Sequence, residues 1–356
     1  MKKCLLIILS LWFVSTGQVF SQEDTLDVFY NHDETRGHDL ALFESDDVLD
    51  MTLRFDITAF RRLRSDTTEL NAVLTIHLSE TDSIDKNIKV RARGYMRRSY
   101  CDMPPIRLNF KKSGSPGDEF RDVDKIKLVT HCKVGNEEYL LKEFLAYRLY
   151  NVLTEYSYRV RLARILYINT SAKKSKPIEE FAFLIEPNDA LCKRLNIIEV
   201  PDTKISQRLV RPEVMDRMAL FCYMIGNPDW SLPIRHNVLF FVPNEIGQNS
   251  QGLVIPYDFD YAGMVNADYA IPFEGLGIKT VLERIYLGMC RDREVFIRGL
   301  KEFSANRENF YRVINEFPYL KEKSKKRVIN YLNEFLLNID KGSSVINKIE
   351  HDCIDL

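Results

Sequence analysis

The spacing of apolar residues changes from a strand pattern to a helix pattern near residue 136, and this change restricts the fold more than any other feature of the chain. Before it, apolar and polar residues alternate in short runs, which is typical of β-strands that bury one face. Residues 137–153 then carry apolar side chains three and four positions apart, which predicts a helix introduced by Asn136. More strand-like runs follow, and a helical region begins near residue 282. This order predicts a fold of the α+β class.

Short strands and a few helices account for most of the chain. Alternating apolar residues predict strands over residues 51–60, 72–78, 88–93, 106–110, 126–130, 159–168, 181–185, 238–242 and 253–256. Helical spacing and start signals predict helices over residues 137–153, 188–195, 214–225 and 319–339. Residues 23–46 are acidic and weakly patterned, so we expect an irregular segment there.

The N-terminus has the pattern of a secretion signal. Lys2 and Lys3 precede an almost wholly apolar run over residues 5–14, and small and polar residues follow it. A run of about ten residues is too short to cross a bilayer, which needs roughly twenty. We therefore expect residues 1–22 to be removed and the protein to be exported, to a periplasm or outside the cell. We expect no transmembrane segment in the rest of the chain.

Charge and cysteine content limit the classes of partner and of covalent crosslink. The formal net charge of -1 provides no basic face for nucleic acid, so we expect no nucleic-acid partner. Beyond residue 22 the chain has an even number of cysteines, which permits disulfides in an oxidising compartment. Either Cys101–Cys132 or Cys132–Cys290 is a candidate pair, and buried free thiols are the alternative.

The residues with the clearest chemical meaning lie between positions 225 and 263. A loop after an apolar helix contains Asp229 and then Asn237, and a strand beginning about fifteen residues later ends in Asp258 and Asp260. If both acids continue the strand they share one face, where their charges repel unless they are solvated or bound to a metal. An acid, an amide and a second acid in this order suit phosphoryl transfer, which needs a proton acceptor and oxygen ligands for Mg²⁺.

This segment resembles the CotH-like family of atypical protein kinases. The family's N-x-D…N loop matches residues 227–229 with Asn237, and its D-x-D strand matches residues 258–260. The resemblance extends over residues 85–265 and implies a minimal kinase-like two-lobed fold that uses ATP with Mg²⁺ or Mn²⁺. It implies a catalytic role for Asp229 and makes Asn237, Asp258 and Asp260 the metal ligands. Some segments are also similar to a set of exported bacterial proteins without an assigned function.

The resemblance implies nucleotide-binding roles upstream, although the chain lacks a G-x-G-x-x-G loop. Arg93, in an arginine-rich segment around Gly94, would contact the phosphates instead. The order of strands and helix makes Lys127 the nucleotide lysine and Glu143 its partner. Lys125 and Lys111 are the competing lysines. Each of these residues could instead belong to a solvated surface.

The same resemblance divides the chain into four parts. They are the signal at 1–22, a β-rich extension at 23–84, an N-lobe-like part at 85–187, and a C-lobe-like part with a helical tail at 188–356. Glu186 then lies where a kinase has its hinge and is a further candidate for binding the cofactor.

Three functional hypotheses follow. The first is an exported CotH-like kinase that transfers a phosphoryl group, or AMP, from nucleotide to a protein or glycan hydroxyl. The second is an inactive kinase-like binding module of the cell envelope, because nucleoside triphosphate is scarce outside the cytoplasm and a shared fold does not establish activity. The third is a structural envelope protein, in which Asp229 caps a turn and Asn237 satisfies its own loop.

Overall fold

The computed structural model describes residues 40–110, 118–172, 174–201, 204–245, 251–340 and 343–355. Its strands are β1 (Leu49–Phe55), β2 (Leu70–His77), β3 (Ser83–Ala92), β4 (Ile106–Phe110), β5 (Lys125–Val129), β6 (Val160–Asn169), β7 (Ile178–Ile185), β8 (Ile197–Glu199), β9 (Val238–Pro243) and β10 (Leu253–Pro256). Its α-helices are α1 (Ile57–Leu63), α2 (Met96–Tyr100), α3 (Glu137–Leu153), α4 (Asn188–Leu195), α5 (Pro212–Ile225), α6 (Arg293–Ala305), α7 (Arg307–Asn315), α8 (Glu322–Asp340) and α9 (Ser343–Asp352).

Seven strands form a closed barrel in the order β1-β2-β3-β4-β5-β7-β6. Neighbouring strands are antiparallel except at the closure, where β1 pairs with β6 in parallel. Every second residue of each strand points into the barrel, so the alternating pattern of the sequence fills its interior with apolar side chains. In β3, β4 and β5 the interior residues are Ile88, Val90, Ala92, Ile106, Leu108, Phe110, Ile126 and Leu128.

Most of the described chain from α3 onward belongs to a second hydrophobic cluster, which packs against β5, β6 and β7. Helix α3 connects the two parts, because Phe144 contacts Phe183 of the barrel and Tyr150 contacts Phe221 of α5. A small sheet, β10-β9-β8, lies beside α5. Helix α5 begins with Pro212 and ends at Gly226, whose φ of 66° is a left-handed conformation that glycine adopts without strain. The loop that starts at Gly226 leads directly into the predicted catalytic segment.

The predicted two-lobed kinase fold is wrong, although the α+β class agrees with the structure. Strands β1 and β2, which the sequence placed in a separate extension, complete a barrel with the five strands that follow. The barrel closes because Leu49 to Phe55 pair with Ala163 to Asn169, so the sheet has no open edge at that side. The predicted boundary between residues 84 and 85 falls inside β3.

Most predicted elements are present, including the strand over 253–256, which has the bounds of β10. Two expectations about where strands end are wrong, and the second affects the site. The strand predicted over 51–60 ends at Phe55, because Asp56 caps α1 by accepting a hydrogen bond from the backbone N–H of Ala59. The strand predicted before the acids ends at Pro256. Asp258 and Asp260 therefore lie in the loop after β10, and the prediction that they share one strand face is wrong.

Two disulfides join parts of the described chain, Cys101–Cys132 and Cys290–Cys353. The first is one of the two predicted alternatives, and the second replaces the other, Cys132–Cys290. Within the described ranges, no helix combines the length and apolar character needed to cross a membrane. The predicted signal at 1–22 lies outside the described residues.

Candidate functional site

A cavity of about 360 Å³ lies between the segment after β3 and the loops that precede β9 and follow β10. Four of the predicted site residues that line it are Asp229, Asn237, Asp258 and Asp260, with Arg93 on the barrel side. Larger cavities of about 590 and 410 Å³ lie at one end of the barrel and beside α5, and neither contains a predicted site residue. The chemistry inferred from the sequence therefore converges on the smallest of these three cavities.

Asp229 is held by two side chains from its own loop. Its Oδ1 lies 2.7 Å from Nε2 of His236, and its Oδ2 accepts a hydrogen bond of 2.9 Å from Nδ2 of Asn237. The adjacent carboxylate raises the pKa of His236, although partial burial opposes the shift. Asn237 has a φ of 53°, a left-handed conformation that asparagine tolerates better than most residues. The loop therefore fixes the orientation of the Asp229 carboxylate beside the cavity.

Asp258 is fixed through its backbone while its carboxylate remains available. Its φ is 62°, and its N–H donates a hydrogen bond of 2.8 Å to the hydroxyl of Tyr147 on α3. A left-handed aspartate is conformationally costly, and such residues cluster at functional sites. Within the described part of the chain, its carboxylate has no hydrogen-bond or ion-pair partner. The preceding residue, Tyr257, donates its N–H to the carbonyl of Asn237, which connects this loop to the loop of Asp229.

Asp260 belongs to a buried charged group that we call the cleft group, formed by Arg97, Glu143 and Asp260. Arg97 lies 2.9 Å from Oε2 of Glu143 and 3.8 Å from Oδ2 of Asp260, which also accepts a hydrogen bond from Tyr269. Burial, followed by repulsion from Asp258, raises the pKa of Asp260 well above its usual value. Burial also raises the pKa of Glu143 to about 7, against the attraction of Arg97.

Lys127 does not form the predicted pair with Glu143, because Arg97 of α2 occupies that carboxylate. The Lys127 ammonium instead lies 5.1 Å from the ring centroid of Tyr257 and 5.8 Å from that of Tyr158. Burial, together with the charges of Arg93 and Arg107, lowers its pKa to about 7. A lysine in this state gains from any anion that binds beside it.

Glu186 is buried away from the cavity in a saturated ionic cluster. Its carboxylate accepts hydrogen bonds from the side chain of Arg159 at 3.0 Å and from that of Arg194 at 2.9 and 2.8 Å. It also accepts one from the backbone N–H of Arg159 at 3.1 Å. With both oxygens engaged, Glu186 anchors α4 to the barrel, and it is not among the residues that line the cavity.

The donors present fit one hard cation. Among the described residues, no group of three or more His, Cys, Asp and Glu side chains is arranged to hold a metal ion. Mg²⁺, however, commonly takes only one or two carboxylates and completes its shell with water and substrate phosphates. The free Asp258 carboxylate and Oδ1 of Asn237 are such donors, since only Nδ2 of Asn237 is engaged with Asp229. Asp260 is already engaged by Tyr269 and Arg97.

Sequence patterns do not single out three residues of the site. Arg97 belongs to the arginine-rich segment around Gly94, for which the sequence allows either phosphate contact or a solvated surface, yet it is 6% exposed and holds two acids. His236 and Tyr147, which hold two of the aspartates, have no motif or ligand spacing that marks them. The signal that could identify Arg97 is its place one turn before Cys101, whose disulfide joins the end of α2 to the segment after β5.

No protein-family model matches this sequence, and no curated protein is detectably similar to it.

Proposed function

We propose that this protein is an exported phosphotransferase of the kind found among CotH-like atypical kinases. It uses ATP with Mg²⁺ or Mn²⁺ and acts on a hydroxyl group of a protein or glycan. The observation that supports this most is the meeting of Asp229, Asn237 and Asp258 on one side of a cavity whose barrel side contains Arg93. The residues of this site, and not the fold, support the proposal, because one fold hosts many functions.

Asp229 is the group that accepts the proton of the attacking hydroxyl. His236 and Asn237 hold its two oxygens, so the carboxylate keeps one orientation toward the cavity. A hydroxyl placed beside it can transfer its proton to the carboxylate as its oxygen forms the new bond to the γ-phosphorus of ATP, while the bond from that phosphorus to the bridging oxygen breaks and ADP leaves with the bonding electron pair. General base catalysis of this kind contributes about 10²- to 10⁴-fold in rate.

Asp258 and Asn237 would hold the divalent cation. When bound, the cation neutralises charge on the phosphate oxygens. The backbone bond from Asp258 to Tyr147 sets the position of its carboxylate before any ligand arrives. On the opposite side, Arg93 and Lys127 attract the phosphates and orient the donor.

Transfer from labelled ATP tests the proposal, with Mg²⁺ or Mn²⁺ supplied and both transfer to water and labelling of the protein measured. We expect Asp229→Asn and Asp258→Asn each to lower the rate at least about 100-fold. Asp122→Asn is the matched control, since among the described residues that exposed carboxylate pairs only with its neighbour Arg121. Label in the γ position reports phosphate transfer and label in the α position reports AMP transfer. If wild-type protein transfers neither label with either cation, the proposal is wrong.

A second candidate function is an envelope binding module without turnover. The observation that favours it is the occupation of Glu143 by Arg97, which leaves Lys127 without a carboxylate partner among the described residues. Such a module binds metal and nucleotide but releases them unchanged. A rise in melting temperature with ATP and Mg²⁺, together with no transfer of either label, would identify it.

A further inference from the structure

Three cationic side chains stand side by side on neighbouring strands of the barrel. The register of the sheet pairs Arg91 of β3 with Arg107 of β4, and Arg107 with Lys127 of β5. We call these three residues the cation row. Adjacent strands lie about 4.8 Å apart, so the row extends roughly 10 Å across the sheet. Such a line of like charges is unfavourable between directly opposite residues unless something compensates it.

The row lies on the outer face of the barrel, because the residues on either side of each member point into the core. Val90 and Ala92 flank Arg91, and Ile126 and Leu128 flank Lys127; all four are buried in the barrel interior. The three cations themselves are half-buried. They are therefore held by the strands and partly withdrawn from water, unlike flexible surface lysines.

Within the part of the chain that the structure describes, no carboxylate forms an ion pair with any member of the row. Glu69, whose pKa the charge of Arg91 helps to lower, is engaged by Asn109 and lies 3.5 Å from Lys89. Burial and repulsion from Arg91 and Arg93 lower the pKa of Arg107. The protein thus maintains partly buried positive charge without compensating acids, which is the electrostatic signature of an anion site.

The row continues into the cavity of the proposed reaction. Arg93 follows β3 on the same face, since its N–H bonds the carbonyl of Pro105 and extends the pairing with β4, and it lines the cavity. At the other end, Lys127 lies over the ring of Tyr257, which also lines the cavity. The acids nearest to Lys127 on the opposite side, Asp258 and Glu199, influence its pKa without reaching ion-pair distance.

We propose that the cation row binds a linear oligophosphate of at least three phosphate groups, and that this chain, more than the nucleoside, is what the site recognises in its donor. Long Arg and Lys side chains can converge on successive phosphates, and the guanidinium forks of Arg91 and Arg107 suit phosphate oxygens. A nucleobase would need an apolar surface to stack on, but the outward-facing side chains of β3 and β4 at this position are the charged Arg91 and Arg107. The inference builds on the proposed function, but binding alone tests it.

Titration calorimetry with inorganic tripolyphosphate and Mg²⁺ is the decisive experiment, with adenosine and inorganic phosphate as comparison ligands. We expect tripolyphosphate to bind within about tenfold of ATP, and adenosine to bind at least 100-fold more weakly. Arg91→Gln and Arg107→Gln should each weaken tripolyphosphate binding at least tenfold, consistent with the strength of charge-assisted hydrogen bonds. Each variant should also reduce the dependence of affinity on salt concentration.

Lys89→Gln is the matched control. Lys89 carries the same charge on the same face of β3, two residues from Arg91, but it has Glu69 as a partner. Its removal should change tripolyphosphate affinity less than threefold. Arg107→Lys keeps the charge and loses the fork, and should weaken binding by an intermediate factor. Melting temperatures without ligand show whether each variant is folded.

The outcomes separate this inference from the proposed reaction. If tripolyphosphate binds through the row and no label is transferred from ATP, the cation row is confirmed and the transferase is not. If ATP is turned over while tripolyphosphate fails to bind, or if Lys89→Gln weakens binding as much as Arg107→Gln does, the inference about the row is wrong.

Discussion

Glu143 and Glu186 are both fully buried, and the sequence suggested a cofactor-binding role for each, yet their surroundings are opposite. Both oxygens of Glu186 accept hydrogen bonds from Arg159 and Arg194. Glu143 has one oxygen on Arg97, and its other oxygen is buried without a partner among the described residues. Glu186 therefore has hydrogen-bond partners on both oxygens, whereas Glu143 has a partner on one oxygen only among the described residues.

The difference separates residues that hold the fold from residues that serve the site. A buried carboxylate with all its hydrogen bonds made stabilises the elements that it joins. A buried carboxylate with an unpaired oxygen and a raised pKa, close to a cavity, is expensive to keep and marks a candidate functional position. The two acids of the cleft group are of the second kind, and Lys127 is its cationic counterpart, because it is buried, has a lowered pKa and has no carboxylate partner among the described residues. Removing the charge should therefore lower the free energy of unfolding at a position of the first kind and raise it at a position of the second kind.

The largest expected effect is at Glu186. Glu186→Gln removes the charge that compensates Arg159 and Arg194, so we expect the free energy of unfolding to fall by about 3 kcal/mol. Chemical denaturation of both proteins measures the difference. Glu302→Gln is the control, because Glu302 pairs with Arg217 at a partly exposed site and should cost about 1 kcal/mol or less. An equal, small change in both variants would contradict the distinction.

Lys127 should behave in the opposite sense. Lys127→Met removes a cation whose pKa is lowered to about 7, so we expect the free energy of unfolding to rise by about 1 kcal/mol at pH 7. The unfolded lysine binds its proton up to about pH 10.5, so wild-type stability increases from pH 7 to 10.5 and the variant's advantage shrinks over that window.

Four charged groups around Lys127 also influence its pKa. Arg93 and Arg107 lower its pKa, and Asp258 and Glu199 raise it. Thermal unfolding between pH 7 and 10 follows the advantage of Lys127→Met, and Lys125→Met, at an exposed position of the same strand, is the control. If Lys127→Met is less stable than wild type at every pH, Lys127 is part of a satisfied structural contact, as Glu186 is.

Local patterns in the sequence predicted the elements well and their long-range pairing poorly. The helix over 137–153 has the bounds of α3, and the strand over 106–110 has those of β4, because each depends on residues close in sequence. Barrel closure depends on β1 meeting β6, more than a hundred residues later, and period-two alternation does not specify a partner strand. The kinase-like fold was wrong for this reason.

In the candidate site, too, local contacts were predicted better than contacts between distant segments. The Asp229 and Asn237 loop is local, and the structure places both side chains in contact. The pairing of Glu143 depends on which cation reaches it from a separate segment of the chain. Arg97 reaches it from α2, which the Cys101–Cys132 disulfide joins to the segment after β5. No spacing rule distinguishes Arg97 from Lys127 before the chain is folded.

The smallest expected effect is at Glu143, and its sign depends on pH. Its pKa is raised from 4.5 to about 7 by burial, with Arg97 and Arg93 opposing the shift and Asp258 adding to it. The protonated form is therefore stabilising below about pH 4.5, and this contribution is lost as pH rises through about 7. Glu143→Gln keeps a neutral side chain throughout, so its stability should match wild type near pH 4.5 and exceed it slightly above pH 7.

Chemical denaturation at pH 5 and pH 8 measures this change, with Glu186→Gln as the contrasting variant. Glu186→Gln should be less stable than wild type at both values, because its arginines remain charged. Arg97 lies between Glu143 and Asp260 and contacts both. The variant Asp260→Asn, made in the wild-type protein, therefore shows how much of the pH dependence of stability comes from the second acid of the cleft group. If Glu143→Gln is as destabilised as Glu186→Gln at pH 8, then the unpaired oxygen of Glu143 has a partner in solution, and the two glutamates are both structural.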